Sequence, residues 1–184
     1  VQPRMMQRAL FQDAPDSLIS ALGLEEGIPA SVCAFLVKTQ GKEILFDAAN
    51  GAPDSQLLPK LSSLEVKPED IDHIFITHLH GDHIGGLTAE DKAVFQNAQL
   101  HINTDELDAW MAMPAEQTTR LKKIIELYKD RLNAFTIEDT LPCGIKAIEA
   151  YGHTPGHTVY QVGNNIIAGD IMHGTALQVD YPQY

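Results

Sequence analysis

The chain has 184 residues, 44% of them hydrophobic and 21% charged, which is the length of about one domain and the composition of an ordinary globular protein rather than a disordered one. No run of about 18 apolar residues exists, so no membrane-crossing helix is expected. The formal net charge is -12, and an acidic surface repels nucleic-acid phosphates and anionic lipid, so neither nucleic acid nor a membrane is an expected partner.

Residues 1–30, broken by Pro3, Pro15, Gly23, Gly27 and Pro29, read as an irregular lead-in to a single domain spanning 1–184. Val1 opens the chain with no charged-then-apolar leader, which leaves the compartment open: cytoplasmic, or exported with its signal removed. Ser31–Thr39 and Lys42–Phe46 read as a hairpin about Gln40-Gly41. Asp54 suits the cap of a helix running to Leu64, with Pro59 as a blemish. Ile71–Thr77 is a buried strand, and Gln99–Asn103 another, followed by a helix capped by Thr104. Residues 115–134 carry Leu121, Ile124, Ile125, Tyr128 and Leu132 on one helical face, with Lys122 and Glu126 as an i,i+4 pair. Tyr128 on that face needs a hydrogen-bond partner if buried. Ile145–Ala150, Thr158–Val162 and Asn165–Ala168 close the pattern as strands, the last two about Gly163-Asn164. Strands, then helices among strands, then strands again indicate a layered α/β protein with mixed sheets. Cys33 and Cys143 lie outside any CxxC spacing and read as buried thiols.

Five of the eight histidines fall in two short segments. Within Thr77-His78-Leu79-His80-Gly81-Asp82-His83, the six residues from His78 hold three imidazoles and a carboxylate. At a strand end His78 and His80 point the same way and can chelate one ion, while beyond Gly81 the pair Asp82 and His83 faces a neighbouring point. Imidazole suits zinc and its transition-metal neighbours, and carboxylate can bridge to a second ion. Gly152-His153-Thr154-Pro155-Gly156-His157 and Gly169-Asp170 each sit at a strand edge and can supply one more ligand. His73 and His101, next to or within strands, read as structural, and Trp110 and Met111 as core.

These segments resemble the metallo-β-lactamase superfamily: His78-Leu79-His80-Gly81-Asp82-His83 matches its HxHxDH motif, Gly156-His157 the next, and Gly169-Asp170 the one after, over most of the chain from about residue 31. The resemblance implies a four-layer αββα sandwich. It implies that His78, His80 and His157 hold one divalent ion and Asp82, His83 and Asp170 a second, with Asp170 shared. Asp47, after Ile44-Leu45-Phe46, resembles the family's early aspartate, which orients ligands without touching an ion. His153 reads as a hydrogen-bonded turn residue or else a partner that orients the ligands, and His173 as local packing or else part of the pocket or a neighbour of the ligands. The family has a further metal-binding histidine well beyond the shared aspartate, whereas here only His173 follows, three residues on. The fold is therefore expected without its C-terminal portion, or with that ligand naturally absent.

Within the superfamily the flanking residues, from Gly152 to Thr158 and from Gly169 to His173, are similar to the branch of N-acyl-homoserine lactonases and methyl-parathion hydrolase-like enzymes. The expected activity is hydrolysis of an ester-like bond in a small molecule, a lactone favoured, by water activated at two ions, zinc first with iron or manganese as substitutes, and with Asp82 placed to orient the water or to pass a proton to the leaving group. An iron redox enzyme of the same fold and a non-catalytic metal-binding module remain the rival readings. A monomer and a homodimer are both left open.

Overall fold

In the computed structural model, which describes residues 1–184, the lead-in expected to be irregular is ordered. It forms strand β1 (Gln2–Met6), helix α1 (Asp16–Leu22) and strand β2 (Ile28–Val32). The two strands pair antiparallel, Gln2 opposite Val32 and Met6 opposite Ile28. Pro3, Arg4 and Met5 all face solvent, so β1 lacks the apolar alternation by which a half-buried strand is recognised. Gly23, at φ 66°, ends α1 in the left-handed conformation, its N–H donating to the Ile19 and Ser20 carbonyls. Together with residues 170–184, which carry a helical turn at Thr175–Gln178, these elements make one compact unit with its own core of Phe11, Ile19, Leu24, Ile28 and Leu177.

Residues 33–169 make the second unit. Strands β3 (Phe35–Thr39) and β4 (Lys42–Phe46) form the expected hairpin, and its turn residues Gln40 and Gly41 both take positive φ, 50° and 73°, as a tight two-residue hairpin turn requires. Helix α2 (Leu57–Ser63) begins three residues after Asp54, which does not cap it; Pro59 falls in its first turn, where no backbone N–H is missed. Strand β5 (His73–Phe75) and a single turn α3 (Gly81–Ile84) follow, then the small hairpin β6 (Thr88–Ala89) and β7 (Lys92–Ala93) and strand β8 (Gln99–Asn103). Helix α4 (Thr104–Met111) is capped by Asn103, whose Oδ1 accepts from the Asp105 N–H, and not by Thr104.

Helix α5 (Ala115–Tyr128) stops six residues short of expectation. Leu132, counted as the last member of its apolar face, instead opens strand β9 (Leu132–Phe135). An apolar residue satisfies both periods, and the 3-10 turn at Lys129–Arg131 makes the change, with the Arg131 guanidinium donating to the Phe95, Gln96 and Leu127 carbonyls. Glu126 pairs with Lys129 rather than Lys122. Strands β10 (Lys146–Glu149), β11 (Thr158–Val162) and β12 (Asn165–Ile167) end the unit. Cys33 and Cys143 are half-buried rather than buried.

The main sheet has the order β3-β4-β5-β8-β9, with β4, β5, β8 and β9 parallel. Its side chains alternate between two cores. Leu45, Ile74, Leu100 and Ile102 meet Leu61 of α2 and Leu121, Ile124 and Tyr128 of α5. Ile44, Phe46 and Phe75 meet Tyr160 and Ile167 of the antiparallel β10-β11-β12 sheet. The unit is thus layered helix, sheet, sheet, the first three layers of the expected αββα order. Tyr128 has the partners its burial demands: its hydroxyl donates to the Leu87 carbonyl at 2.8 Å and accepts from the Phe95 N–H at 3.2 Å, and burial pushes its pKa up to about 12.

His73 and His101 pair across β5 and β8, Nδ1 to Nε2 at 3.1 Å, and His101 stacks on Phe75 with ring centroids 4.3 Å apart. Burial, reinforced by His73, lowers the His101 pKa from 6.5 to about 3. The unfolded chain takes up this proton below about pH 6.5 while the folded chain refuses it until about pH 3, so this group's share of stability is intact above 6.5 and is lost as the pH falls through that window. His101→Gln is expected to lower the urea midpoint near pH 7.5, and the gap from wild type should narrow steadily towards about pH 4.5. A gap that widens on acidification would contradict the assignment.

Candidate metal centre

Parallel strands end on one edge, and here the residues at and just past the ends of β4, β5 and β8 carry the polar groups: Asp47 after β4, Thr77 to His83 after β5, and Asn103 to Glu106 at the end of β8 and beyond it. The chain segment before β11 adds Tyr151 to His157. His78 and His80 lie in the loop beyond β5 and not on the strand itself, which ends at Phe75, and Asp82 and His83 sit on the helical turn α3. The histidines still gather. The His78 ring lies 4.0 Å from that of His83, 4.8 Å from His80, 4.7 Å from His153 and 5.0 Å from His157, between centroids. His78, His80 and His153 each offer a ligand atom within 4.8 Å of the others. His78, His83 and His157 are buried, and burial, with the other histidines adding to it, drives the His78 pKa far below the usual imidazole range. Gathered imidazole nitrogens are what a divalent transition ion requires of its ligands.

Asp47 fixes which nitrogen of two rings carries the proton. It sits at φ 57°, in the left-handed region, almost sealed from solvent. Its carboxylate accepts from the Thr77 N–H at 2.8 Å, from the Thr77 hydroxyl at 2.9 Å and from His83 Nδ1 at 2.8 Å. A carboxylate only accepts, so His83 Nδ1 is the protonated nitrogen and Nε2 holds the lone pair. The single Thr77 hydroxyl proton goes to Asp47, so His78 Nδ1, 3.0 Å from Thr77 Oγ1, is the donor there, and His78 Nε2 also holds a lone pair. Asp47 is thus bonded to one of the expected ligands and to the threonine beside another, and metal-ligating histidines take their tautomer from such partners. His80 Nδ1 meets His153 Nε2 at 3.0 Å, which places His153 in the cluster itself and not in a remote turn.

Asp82 is half-exposed, its carboxylate 4.0 Å from His83 Nε2. Asp170 opens the other compact unit, where His173 Nε2 lies 3.5 Å from its carboxylate. The residue before it explains the Gly-Asp pair: Gly169 takes φ 59°, and a Cβ there would stand 2.6 Å from His157 Nε2. Trp110 packs partly against the helical core, as expected, but its ring also meets His80 edge-on at 5.4 Å.

Glu106 went unrecognised in the sequence. It is buried, and its two oxygens accept from the Leu79 N–H at 2.8 Å and the Gly156 N–H at 2.9 Å. Gly156 has no room for a side chain, since a Cβ would lie 2.1 Å from the Glu106 backbone nitrogen. Asn103 donates to the Gly156 carbonyl and Thr158, and Tyr151 donates to Asp105 at 2.6 Å. An acidic residue in the first turn of a helix is so common that nothing local marked Glu106 out.

The family model of the metallo-beta-lactamase superfamily matches residues 28–175. Ribonuclease Z of Geobacillus kaustophilus is 42% identical over 72 residues, 36% of this chain and 22% of the relative. The exodeoxyribonuclease WalJ of Streptococcus pneumoniae is 38% identical over 137 residues, 73% of this chain and 46% of the relative. An N-acyl homoserine lactonase of a Bacillus species is 28% identical over 169 residues, 77% of this chain and 62% of the relative. The chain thus spans between about a fifth and three fifths of the length of these curated relatives. Among solved structures, the hydrolase AbOPH superposes at a TM-score of 0.83 with 29% identity, over 99% of this chain and 72% of that one. AidC, a dizinc quorum-quenching lactonase in complex with a product, superposes at 0.85 with 24% identity, over 98% and 72%. The α/β fold and the resemblance read from the motifs are both borne out.

In metal-free protein near neutral pH, long-range nitrogen–proton NMR correlations should find His78 and His83 with the proton on Nδ1. Asp47→Asn, a residue that also tolerates the left-handed backbone, should shift His83 towards a tautomer mixture. A dominant Nε2–H form of His83 in wild type would contradict the Asp47 assignment.

Proposed function

The chain belongs to the metallo-beta-lactamase superfamily, and on that premise we propose that it is a metal-dependent hydrolase that opens an ester-like bond, a lactone favoured, with two divalent ions, zinc first among them. In this reading His78, His80 and His157 hold one ion, and Asp82, His83 and Asp170 the other, with Asp170 shared. When bound, such ions lower the pKa of water towards about 7 and stabilise negative charge on the substrate oxygen. The observation that carries the proposal is the hydrogen bonding of the buried imidazoles: His83 Nδ1 lies 2.8 Å from the Asp47 carboxylate and His78 Nδ1 lies 3.0 Å from the Thr77 hydroxyl that donates to Asp47, which in neutral rings keeps the Nε2 lone pairs for an ion.

The remaining work falls to the chain's own groups. Asp47 and Thr77 keep the ligand rings from turning. The half-exposed Asp82 carries a proton between water and the leaving oxygen, a role worth about 10²- to 10⁴-fold in rate. His153 belongs to the cluster through its contact with His80, and Trp110, edge-on to the same ring, stands beside it. The lactone preference is supported by the similarity to N-acyl homoserine lactonase over 77% of this chain.

A second reading, phosphodiester hydrolysis, is favoured by the similarity to ribonuclease Z and WalJ. The net charge of -12 weighs against it, because nucleic-acid-binding surfaces are basic.

Zinc-loaded protein assayed on an N-acyl homoserine lactone, an aryl ester, a phosphotriester and a single-stranded oligonucleotide separates the two. The proposal expects the lactone to give the highest kcat/KM, a loss of about 10³-fold or more on chelation with recovery on adding zinc, and a fall in kcat of about 10²- to 10⁴-fold in Asp82→Asn. Fastest turnover of the oligonucleotide would replace the lactone reading with the second one, and silence on all four substrates would remove the hydrolase proposal.

A further inference from the structure

We infer that Glu106 is a positioning residue that straps together the two loops bearing the proposed ligands, and that it thereby sets how tightly the cluster binds a divalent ion; the inference rests on the reading of the cluster as a metal centre. Two loops far apart in the chain must hold a fixed spacing if His78 and His80 on one and His157 on the other are to share an ion. Backbone pairing between the loops runs through one bond at their outer end, from the Thr158 N–H to the Thr77 carbonyl at 2.9 Å. Beside the bond between the His80 and His153 rings, the Glu106 side chain joins the two backbones by a carboxylate that both share. One carboxylate oxygen takes the N–H of Leu79, the residue between His78 and His80, and the other takes the N–H of Gly156, the residue before His157.

The strap is stiff for four reasons. Glu106 is 1% exposed, so water does not compete for its oxygens. It stands in the first turn of α4, whose cap Asn103 donates to the Gly156 carbonyl and to Thr158, so the same helical turn holds the second loop at two further points. Gly156 lies so close to the Glu106 backbone that any side chain there would drive the loop away. Charge contributes as well, since hydrogen bonds to a carboxylate are about twice as strong as neutral ones.

Glutamine in place of Glu106 keeps the volume but offers one acceptor and one NH₂ group to two N–H donors, so one arm of the strap must open. Groups that orient metal ligands typically change metal affinity by about 10- to 100-fold. The test is zinc affinity by competition with a chromophoric chelator, alongside the urea midpoint of the metal-free protein and amide exchange at Leu79 and Gly156. The comparison variant is Tyr128→Phe, which loses a buried hydrogen-bonded pair at Leu87 and Phe95, within the helical core. The expected result is a loss of about 10-fold or more in zinc affinity for Glu106→Gln, with faster exchange at Leu79 or Gly156, while Tyr128→Phe loses stability yet stays within about 2-fold of wild type in affinity. Equal affinities for Glu106→Gln and wild type would overturn the strap while leaving the metal centre standing. A wild type that binds no zinc would overturn both, and it is told apart because no variant then differs. Should Glu106→Gln fail to fold, Glu106→Asp, which keeps the charge but shortens the reach by one methylene, carries the same comparison.

Discussion

The carboxylate of Asp47 orders the cluster of histidines. It is buried, it accepts three hydrogen bonds, and it is held in a left-handed backbone conformation at the end of β4. Because it can only accept, it directs the Thr77 hydroxyl proton towards itself and the His83 Nδ1 proton likewise, and Thr77 passes the same polarity on to His78. A buried cluster of imidazoles without such a reference would be free to mix tautomers, and a mixed set binds an ion poorly. Removing Asp47 therefore disturbs more than one hydrogen bond, because the sense of the others descends from it.

The sheet supplies what Asp47 needs to act on. Parallel β4, β5 and β8 end side by side, so three loops distant in sequence arrive at one edge, as is usual for sites in open α/β sheets. The close approach is demanding of the backbone. A Cβ on Gly85 would lie 2.0 Å from the Asn50 carbonyl and one on Gly86 2.1 Å from that of Ala48. The Gly-Gly pair after the histidine motif thus lets the loop beyond β4 lie against the turn that follows α3, while the Ala48 N–H donates to the carbonyl of His83 in α3 at 2.7 Å.

What could be read from the sequence was what is written locally. Three histidines and an aspartate within six residues are dense enough to be recognised without the fold, and Ile74 to Ile76 indicated the strand that delivers them. Asp47 was singled out by the resemblance together with its place after an apolar strand. Glu106 was not, since its partners are backbone N–H groups 27 and 50 residues away and backbone groups leave no mark in a sequence. His153 was placed beside the site but not in it, because its contact with His80 depends on how a loop 73 residues further on folds back. Strand β1 lay hidden behind its exposed face, and β9 behind a leucine that suits a helix equally well. The charge argument against nucleic acid is countered by relatives that are themselves named nucleases.

The most direct test is the number of ions the cluster holds. Metal-free protein titrated with cobalt(II) and followed by its visible absorption, with elemental analysis of the zinc-loaded form, should saturate at two equivalents per chain. Replacing His78, whose ring lies within 5.0 Å of those of His80, His83, His153 and His157, with alanine should cut this to one or none. A wild type that takes up no more than trace metal, or whose uptake is unchanged in His78→Ala, would contradict the account at its centre.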